Sequence, residues 1–260
     1  MILDDLVTAT QRRTEYEQSI VPLSDLKQSI SELPKTDSQD VYERFRQPGM
    51  HVIGEIKKAS PSRGQIVNNL DYIGIAKQYH AADVTAISVL TEPKYFKGHI
   101  SYLKEINKTI DALTLRKDFI INPYMIYQAK DAGANIILLI VAILTKDQLK
   151  QYFDLAHELG LAVLVEAHDE DEVAIALSIG AQMIGVNNRN LKDFSVSFAN
   201  SINLRKKVPS DIVFIAESGV KSISDTRKLE AIGVNGILIG ETLMKSTNPT
   251  EFIRKIQEDV

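Results

Sequence analysis

The sequence predicts an α/β protein folded as a closed (β/α)8, or TIM, barrel of the phosphate-binding type, preceded by a helical extension. Three observations predict it: eight short apolar runs, amphipathic stretches between them, and charged residues gathered where the runs end. Residues 1–48 read as the extension and 49–260 as the barrel, together one domain. In the extension, apolar residues fall at helical spacing at Leu3, Leu6 and Ile20, then at Leu23, Leu26, Ile30 and Leu33. Pro22 breaks the pattern and Pro34 ends it, so two helices are expected. Arg12 and Arg13 are expected on a solvated helix face, because no hydrophobic segment follows them as a twin-arginine signal requires.

From Met50 onward the strand candidates are HVIGEIKK, VTAISVL, ALTLRKDF, NIILLIV, LAVLVEA, QMIGVN, IVFIAES and GILIG. Each is short, apolar and free of proline, as parallel strands covered by helices should be. Helical stretches such as DYIGIAKQYHAA, PYMIYQAKDAGA and KDQLKQYFDLAHELG lie between them, several ending in a C-cap glycine. The run ends recur with a mean spacing of roughly 26 residues, a supersecondary repeat. An open doubly wound sheet uses the same unit, but the chain has neither a G-x-G-x-x-G turn nor a P-loop, and eight units favour closure.

Composition narrows the function. A 260-residue chain with 44% apolar and 25% charged residues can build a sizeable core. A formal charge of −4 argues against a nucleic-acid partner. Cysteine is absent, which removes disulfides, thiolate metal sites and thiol nucleophiles. The N-terminus lacks the cations and apolar segment of a signal peptide, and the longest apolar run, Ile136 to Leu144, falls short of the roughly 20 residues that span a bilayer. The expectation is a cytoplasmic monomer acting on a small molecule, with no membrane partner.

Reacting groups of such barrels sit at the C-terminal ends of the strands. The runs here end in Glu55 and Lys57, in Lys117 and Asp118, in Glu166, in Asn187, and in Glu217 and Ser218. Residues two apart on a strand share a face, so Glu55 and Lys57 should both point inward while Ile56 faces the helices. An ion-pair network holding only the rim is the alternative for any one of these groups. Their joint placement at five strand ends favours a shared pocket.

IAESGV and LIGETLM supply Ser218, Gly219, Gly240 and Glu241 after adjacent runs, where glycine lets backbone N–H groups approach an anion and a short following helix offers its N-terminus. Two tight turns are the plainer reading; their adjacency favours a phosphate cup. KKASPSRG, which carries Lys57, Lys58, Ser60 and Arg63, reads as a loop that could fold over an anionic ligand. HDEDE at His168 reads as an acidic helix start rather than a metal cluster, since the other histidines have no ligand spacing. Phe96 and Phe119 follow strand ends, where they serve either the core or an aromatic substrate.

IGEIKKASPSRG, LRKDFI, VEAHDEDE, GVNNRNL, IAESGV and LIGETLM resemble, in order, the signature segments of the indole-3-glycerol phosphate synthase family. The resemblance covers nearly the whole chain. It implies the substrate 1-(2-carboxyphenylamino)-1-deoxyribulose 5-phosphate, closed to an indole with loss of carbon dioxide and water, and no metal or organic cofactor. Residue by residue it implies Lys117 as general acid, Glu166 as base and Lys57 as an assisting donor that also meets the phosphate. Glu55 and Asn187 would orient lysines and substrate hydroxyls, and Glu217 would hold a lysine. Ser60 and Arg189 match active-site positions, Arg189 as a carboxylate partner, while Phe96, Phe119, Leu138 and Leu238 resemble the apolar wall around the anthranilate ring. The chain departs from the family pattern at Gly54, Arg63 and Asn122. Glu241 stands where some relatives have serine, so only its backbone N–H is expected to face the anion, with the side chain turned away.

Other readings make distinct demands. Phosphoribosylanthranilate isomerase relies on a cysteine, and a ribulose-phosphate epimerase on metal ligands. A non-catalytic barrel would have no use for Lys57, Lys117 and Glu166 together. A Schiff-base lyase would trap a substrate on a lysine under borohydride.

Overall fold

The computed structural model describes residues 2–189 and 194–258, so Asn190 and Leu191 of the GVNNRNL segment lie outside the described residues. Eight parallel strands close into a barrel in the chain order: β1 (His51–Ile56), β2 (Ala86–Leu90), β3 (Thr114–Lys117), β4 (Ile136–Ile140), β5 (Ala162–Ala167), β6 (Met183–Asn187), β7 (Val213–Glu217) and β8 (Gly236–Ile239). β8 pairs back onto β1 with Leu238 opposite Ile53, which leaves no free edge. Each strand falls within one of the runs read from the sequence.

The pleat divides the barrel into two cores. Inward residues such as Ile53, Leu115, Ile136, Leu164 and Ile215 form one apolar cluster inside the strands. Outward residues such as Ile56, Val89, Ile137 and Val165 form another with the surrounding helices. Ile56 thus faces the helices, as the alternation predicts. Two residues beyond an inward apolar position stand Glu55 after Ile53, Lys117 after Leu115, Glu166 after Leu164 and Glu217 after Ile215. The same period that fills the barrel therefore carries charge to its mouth.

The extension holds three helices, not two: α1 (Ile2–Ile20), α2 (Leu23–Ser31) and α3 (Ser38–Arg46). The third is short and mostly polar, with Asp37 as its N-cap accepting from the Gln39 N–H. Its apolar residues Val41, Tyr42 and Phe45 are buried against the barrel's inner cluster at the N-terminal end of the strands. There the Tyr42 hydroxyl accepts the Val163 N–H at 2.8 Å, so α3 is a floor for the barrel.

α1 crosses the opposite end. Arg13 is not solvated: its guanidinium donates to both oxygens of the fully buried Asp118 carboxylate at 3.0 Å, and its side chain is 13% exposed. Asp118 does not aim into the barrel mouth either. It follows Lys117 in the pleat and so turns outward, where it also pairs with Arg116 at 3.2 Å and accepts from the Thr91 hydroxyl. Burial alone would raise its pKa, but Arg13 and Arg116 outweigh burial and hold it below the ordinary carboxylate range.

Candidate active site

A cavity of about 520 Å³ opens at the C-terminal ends of the strands. Every residue assigned to the site from the sequence lines it, and Leu3 and Leu6 of α1 add a wall that the sequence reading missed.

At its base, the Lys117 ammonium lies 2.8 Å from Glu217 Oε2 and 3.3 Å from Glu166 Oε2, both carboxylates almost fully buried. Burial alone would lower the lysine's pKa, but Glu217, Glu166 and Glu55 outweigh it and raise it above the ordinary lysine value, so the ammonium is charged at neutral pH. Two buried carboxylates sharing one cation cannot ionise equally. Burial would raise Glu166, but Lys117 and then His168 hold it down to about 2. Glu217, whose burial is reinforced by Glu166 and Glu55 against Lys117, is pushed up to about 7. Its Oε1 is a buried oxygen with no hydrogen-bond partner among the described residues. The cluster thus offers a fixed ammonium, an ionised carboxylate and a carboxyl that exchanges its proton near neutrality.

Beside it Lys57 pairs with Glu55, and this pair dictates Gly240: a Cβ there would overlap the Glu55 carboxylate and approach Lys57 Nζ to 3.1 Å. Gly240 is the N-cap of the short helix Glu241–Lys245 and gives it no side-chain cap. At the end of β7, Ser218 and Gly219 both have positive φ, 67° and 96°, which turns the chain sharply at the cavity. A side chain at Gly219 would run into Val196 and Phe198.

Glu241 corrects the expectation that its side chain turns away. Its carboxylate reaches cations that line the cavity, Arg63 at 3.2 Å and Arg189 at 3.7 Å, as well as Lys245 at 2.8 Å. Arg63 sits in the KKASPSRG segment, which is not wholly loop: Ala59–Ser60 and Gly64–Gln65 pair as a two-stranded ribbon. Of the other departures from the family pattern, Gly54 is explained by Tyr79, whose ring would stand 2.7 Å from a Cβ there. Asn122 caps the helix Pro123–Asp131, accepting from the Tyr124 N–H.

The apolar wall comes from opposite sides. Phe96 and Phe119 meet at a ring-centroid distance of 6.1 Å, and Leu138 and Leu238 project from the barrel interior. Phe96 is presented by Glu92, a buried carboxylate that accepts the N–H groups of Lys94, Tyr95 and Phe96 at 2.7–2.9 Å. Asn187 accepts the Arg189 N–H, and the Arg189 guanidinium donates to the Phe194 carbonyl. HDEDE does begin a helix: Asp169 caps the helix Glu170–Ser178. His168 nevertheless reaches the site, its Nε2 3.1 Å from Glu166 Oε1, a placement that helix-start reasoning could not supply.

Fold and cavity together define a class: a (β/α)8-barrel protein with a lysine–carboxylate acid–base cluster beside glycine-lined backbone turns. Within that class, the chain belongs to the indole-3-glycerol phosphate synthase family, whose model matches residues 3–256. It is similar to the indole-3-glycerol phosphate synthase of Lacticaseibacillus casei, with 54% identity over 99% of both chains. It is also similar to that of Leuconostoc mesenteroides subsp. mesenteroides, with 51% identity over 99% of both. A solved 3-hexulose-6-phosphate synthase from Salmonella typhimurium superposes with a TM-score of 0.66 over 80% of this chain and 97% of that one; at 16% identity the likeness is of fold alone. Among the described residues, no helix is long and apolar enough to cross a membrane.

Proposed function

We propose that this chain catalyses the reaction its family is named for, forming indole-3-glycerol phosphate from 1-(2-carboxyphenylamino)-1-deoxyribulose 5-phosphate in tryptophan biosynthesis, with the extension and the barrel acting as one unit. The observation that carries the reading is Lys117, a buried ammonium held between two carboxylates inside an aromatic-walled cavity.

The substrate's carboxylate-bearing ring carbon is a poor nucleophile, so its ketone must be made electrophilic. Lys117 donates a proton to the ketone oxygen as the ring carbon attacks the ketone carbon and the new carbon–carbon bond forms. Cleavage of the carboxylate bond releases carbon dioxide and restores the ring's aromaticity. Glu166 then takes a proton from the adjacent sugar carbon while the new hydroxyl leaves as water, with Lys57 as the assisting donor. Glu55 and Asn187 orient the lysines and the substrate hydroxyls, and Glu217 holds Lys117. Ser60 and Arg189 contact the substrate, Arg189 through its carboxylate. Phe96, Phe119, Leu138 and Leu238 enclose the ring. The phosphate is received by the backbone at Ser218, Gly219, Gly240 and Glu241 together with Lys57. The chain works as a monomer in the cytoplasm.

The test is conversion of that substrate to the fluorescent indole product by protein purified through a chelator. Activity without added metal supports the proposal. Inactivity relieved by a divalent cation would overturn it in favour of a metal-dependent barrel reaction.

A further inference from the structure

The acidic run places His168 at the start of a helix, yet it stands two residues beyond Glu166, just past the end of β5, and its ring turns back to the Glu166 carboxylate. Its ring stands between two carboxylates. Nε2 lies 3.1 Å from Glu166 Oε1, off the line of a hydrogen bond, and Nδ1 lies 3.0 Å from Glu172 Oε2. Glu172, in the first turn of the helix Glu170–Ser178, also accepts the His168 N–H at 2.8 Å, and Asn200 donates to the His168 carbonyl at 3.2 Å. The backbone and the ring are thus held by different elements.

The consequence falls on Glu166, whose two oxygens are contacted by different cations, Oε2 by Lys117 and Oε1 by the imidazole. These cations are not equivalent during turnover. Lys117 gives up its proton, and with it its charge, when it acts as acid. Glu166 would then be a 3% exposed carboxylate facing Glu217 from β7, with Glu55 of β1 close by. A buried carboxylate without a counter-ion takes up a proton and ceases to be a base. An imidazolium braced on Glu172 keeps a positive charge on Glu166 that does not depend on the state of Lys117.

We propose that His168 is a positioning residue: clamped in its protonated form between Glu172 and Glu166, it keeps the Glu166 carboxylate ionised and oriented while Lys117 is discharged. This rests on the roles proposed above for Lys117 and Glu166. The ring's own ionisation agrees with it. Burial would lower the imidazole's pKa, but Glu166 and Glu172 outweigh burial and lift it to about 10.

Two measurements test it. The first needs neither substrate nor variant: the His168 ring resonances, assigned through the backbone, are followed by NMR as pH is raised in the intact protein. The ring is expected to stay protonated through pH 8, and titration near the ordinary histidine value of ~6.5 would overturn the inference. The second is the pH profile of turnover for His168→Gln and Glu172→Gln beside the unaltered protein. For H168Q, kcat at neutral pH is expected to fall about tenfold with KM little changed, and the acid limb of kcat to move up by about one unit. E172Q should move both the same way by less. An unmoved acid limb, or a change confined to KM, would overturn the inference. If the unaltered protein produced no indole, the proposed function would fail while the resonance titration still decided the protonation of His168.

Discussion

Glu217→Gln separates electrostatics from shape at the Lys117 cluster. The substitution keeps the side chain's size and removes only its ability to ionise. Burial, Glu166 and Glu55 outweigh Lys117 at this position and carry the Glu217 pKa from 4.5 to about 7. The folded value lies above the unfolded one, so between them the folded protein binds more protons than the unfolded chain, and stability falls as pH rises. The contribution of Glu217 is intact below pH 4.5 and is lost as pH passes through about 7. A shift of that size corresponds to about 3 kcal/mol at ~1.4 kcal/mol per unit, and with Glu217 1% exposed, solvent screening does not reduce it. Glutamine undergoes no such loss. Relative to the unaltered protein, E217Q should therefore gain stability by about 3 kcal/mol between pH 4.5 and pH 8.

The assay is denaturant unfolding of both proteins at those two pH values, read as the change in their stability difference. Turnover runs the other way: without the carboxylate 2.8 Å from Lys117, the ammonium loses a positioning partner and kcat should drop at every pH. A stability difference independent of pH would refute the account, because it would mean that Glu217 ionises in the folded protein as it does in the unfolded chain.

Lys117→Ala should cut kcat at least about a hundredfold while KM moves much less, as loss of a general acid requires; unchanged turnover in the fluorescence assay removes Lys117 from that role. Glu241→Gln withdraws a carboxylate from Arg63, Arg189 and Lys245, so inorganic phosphate should compete with substrate about fivefold more strongly, and weaker competition would mean that these cations do not face the anion. Arg13→Ala leaves Asp118 buried with Arg116 as its remaining ion-pair partner and should cost about 3 kcal/mol in urea unfolding, whereas a cost near zero would mean that α1 is not anchored there.

What was legible in the sequence follows from period and position. A parallel strand in a closed barrel has only two faces, so the run ends fix which side chains reach the mouth, and Glu55, Lys117, Glu166 and Glu217 follow from counting in twos. Contacts set by partners far along the chain were not legible. Arg13 and Asp118 are 105 positions apart, and helical spacing gives no reason to join them. The sequence does not announce α3 because its apolar face is only three residues, Val41, Tyr42 and Phe45, in an otherwise polar segment. Gly185 reads as an unremarkable strand glycine until the barrel closes; a Cβ there would overlap Glu217 Oε1, so that carboxylate owes its place to a missing side chain one strand away. The Glu241 side chain turned toward the cavity because Arg63 and Arg189 stand there, a balance of charge that position after a strand does not encode.

The pleat of β3 joins the chemistry to the extension. Lys117 points into the cavity, and its neighbours Arg116 and Asp118 point out, where Asp118 takes Arg13 from α1. The backbone repeats the link: the Lys117 carbonyl accepts the Thr91 N–H at 3.1 Å, and the Thr91 carbonyl accepts from Arg13 at 3.4 Å. The helix so anchored is the one that lends Leu3 and Leu6 to the cavity wall. A shift in the seat of α1 therefore acts on the apolar wall directly and on the ammonium across one peptide unit. This makes the extension part of the site, whereas α3, bound at the other end through Tyr42 and Phe45, acts on the barrel's floor alone.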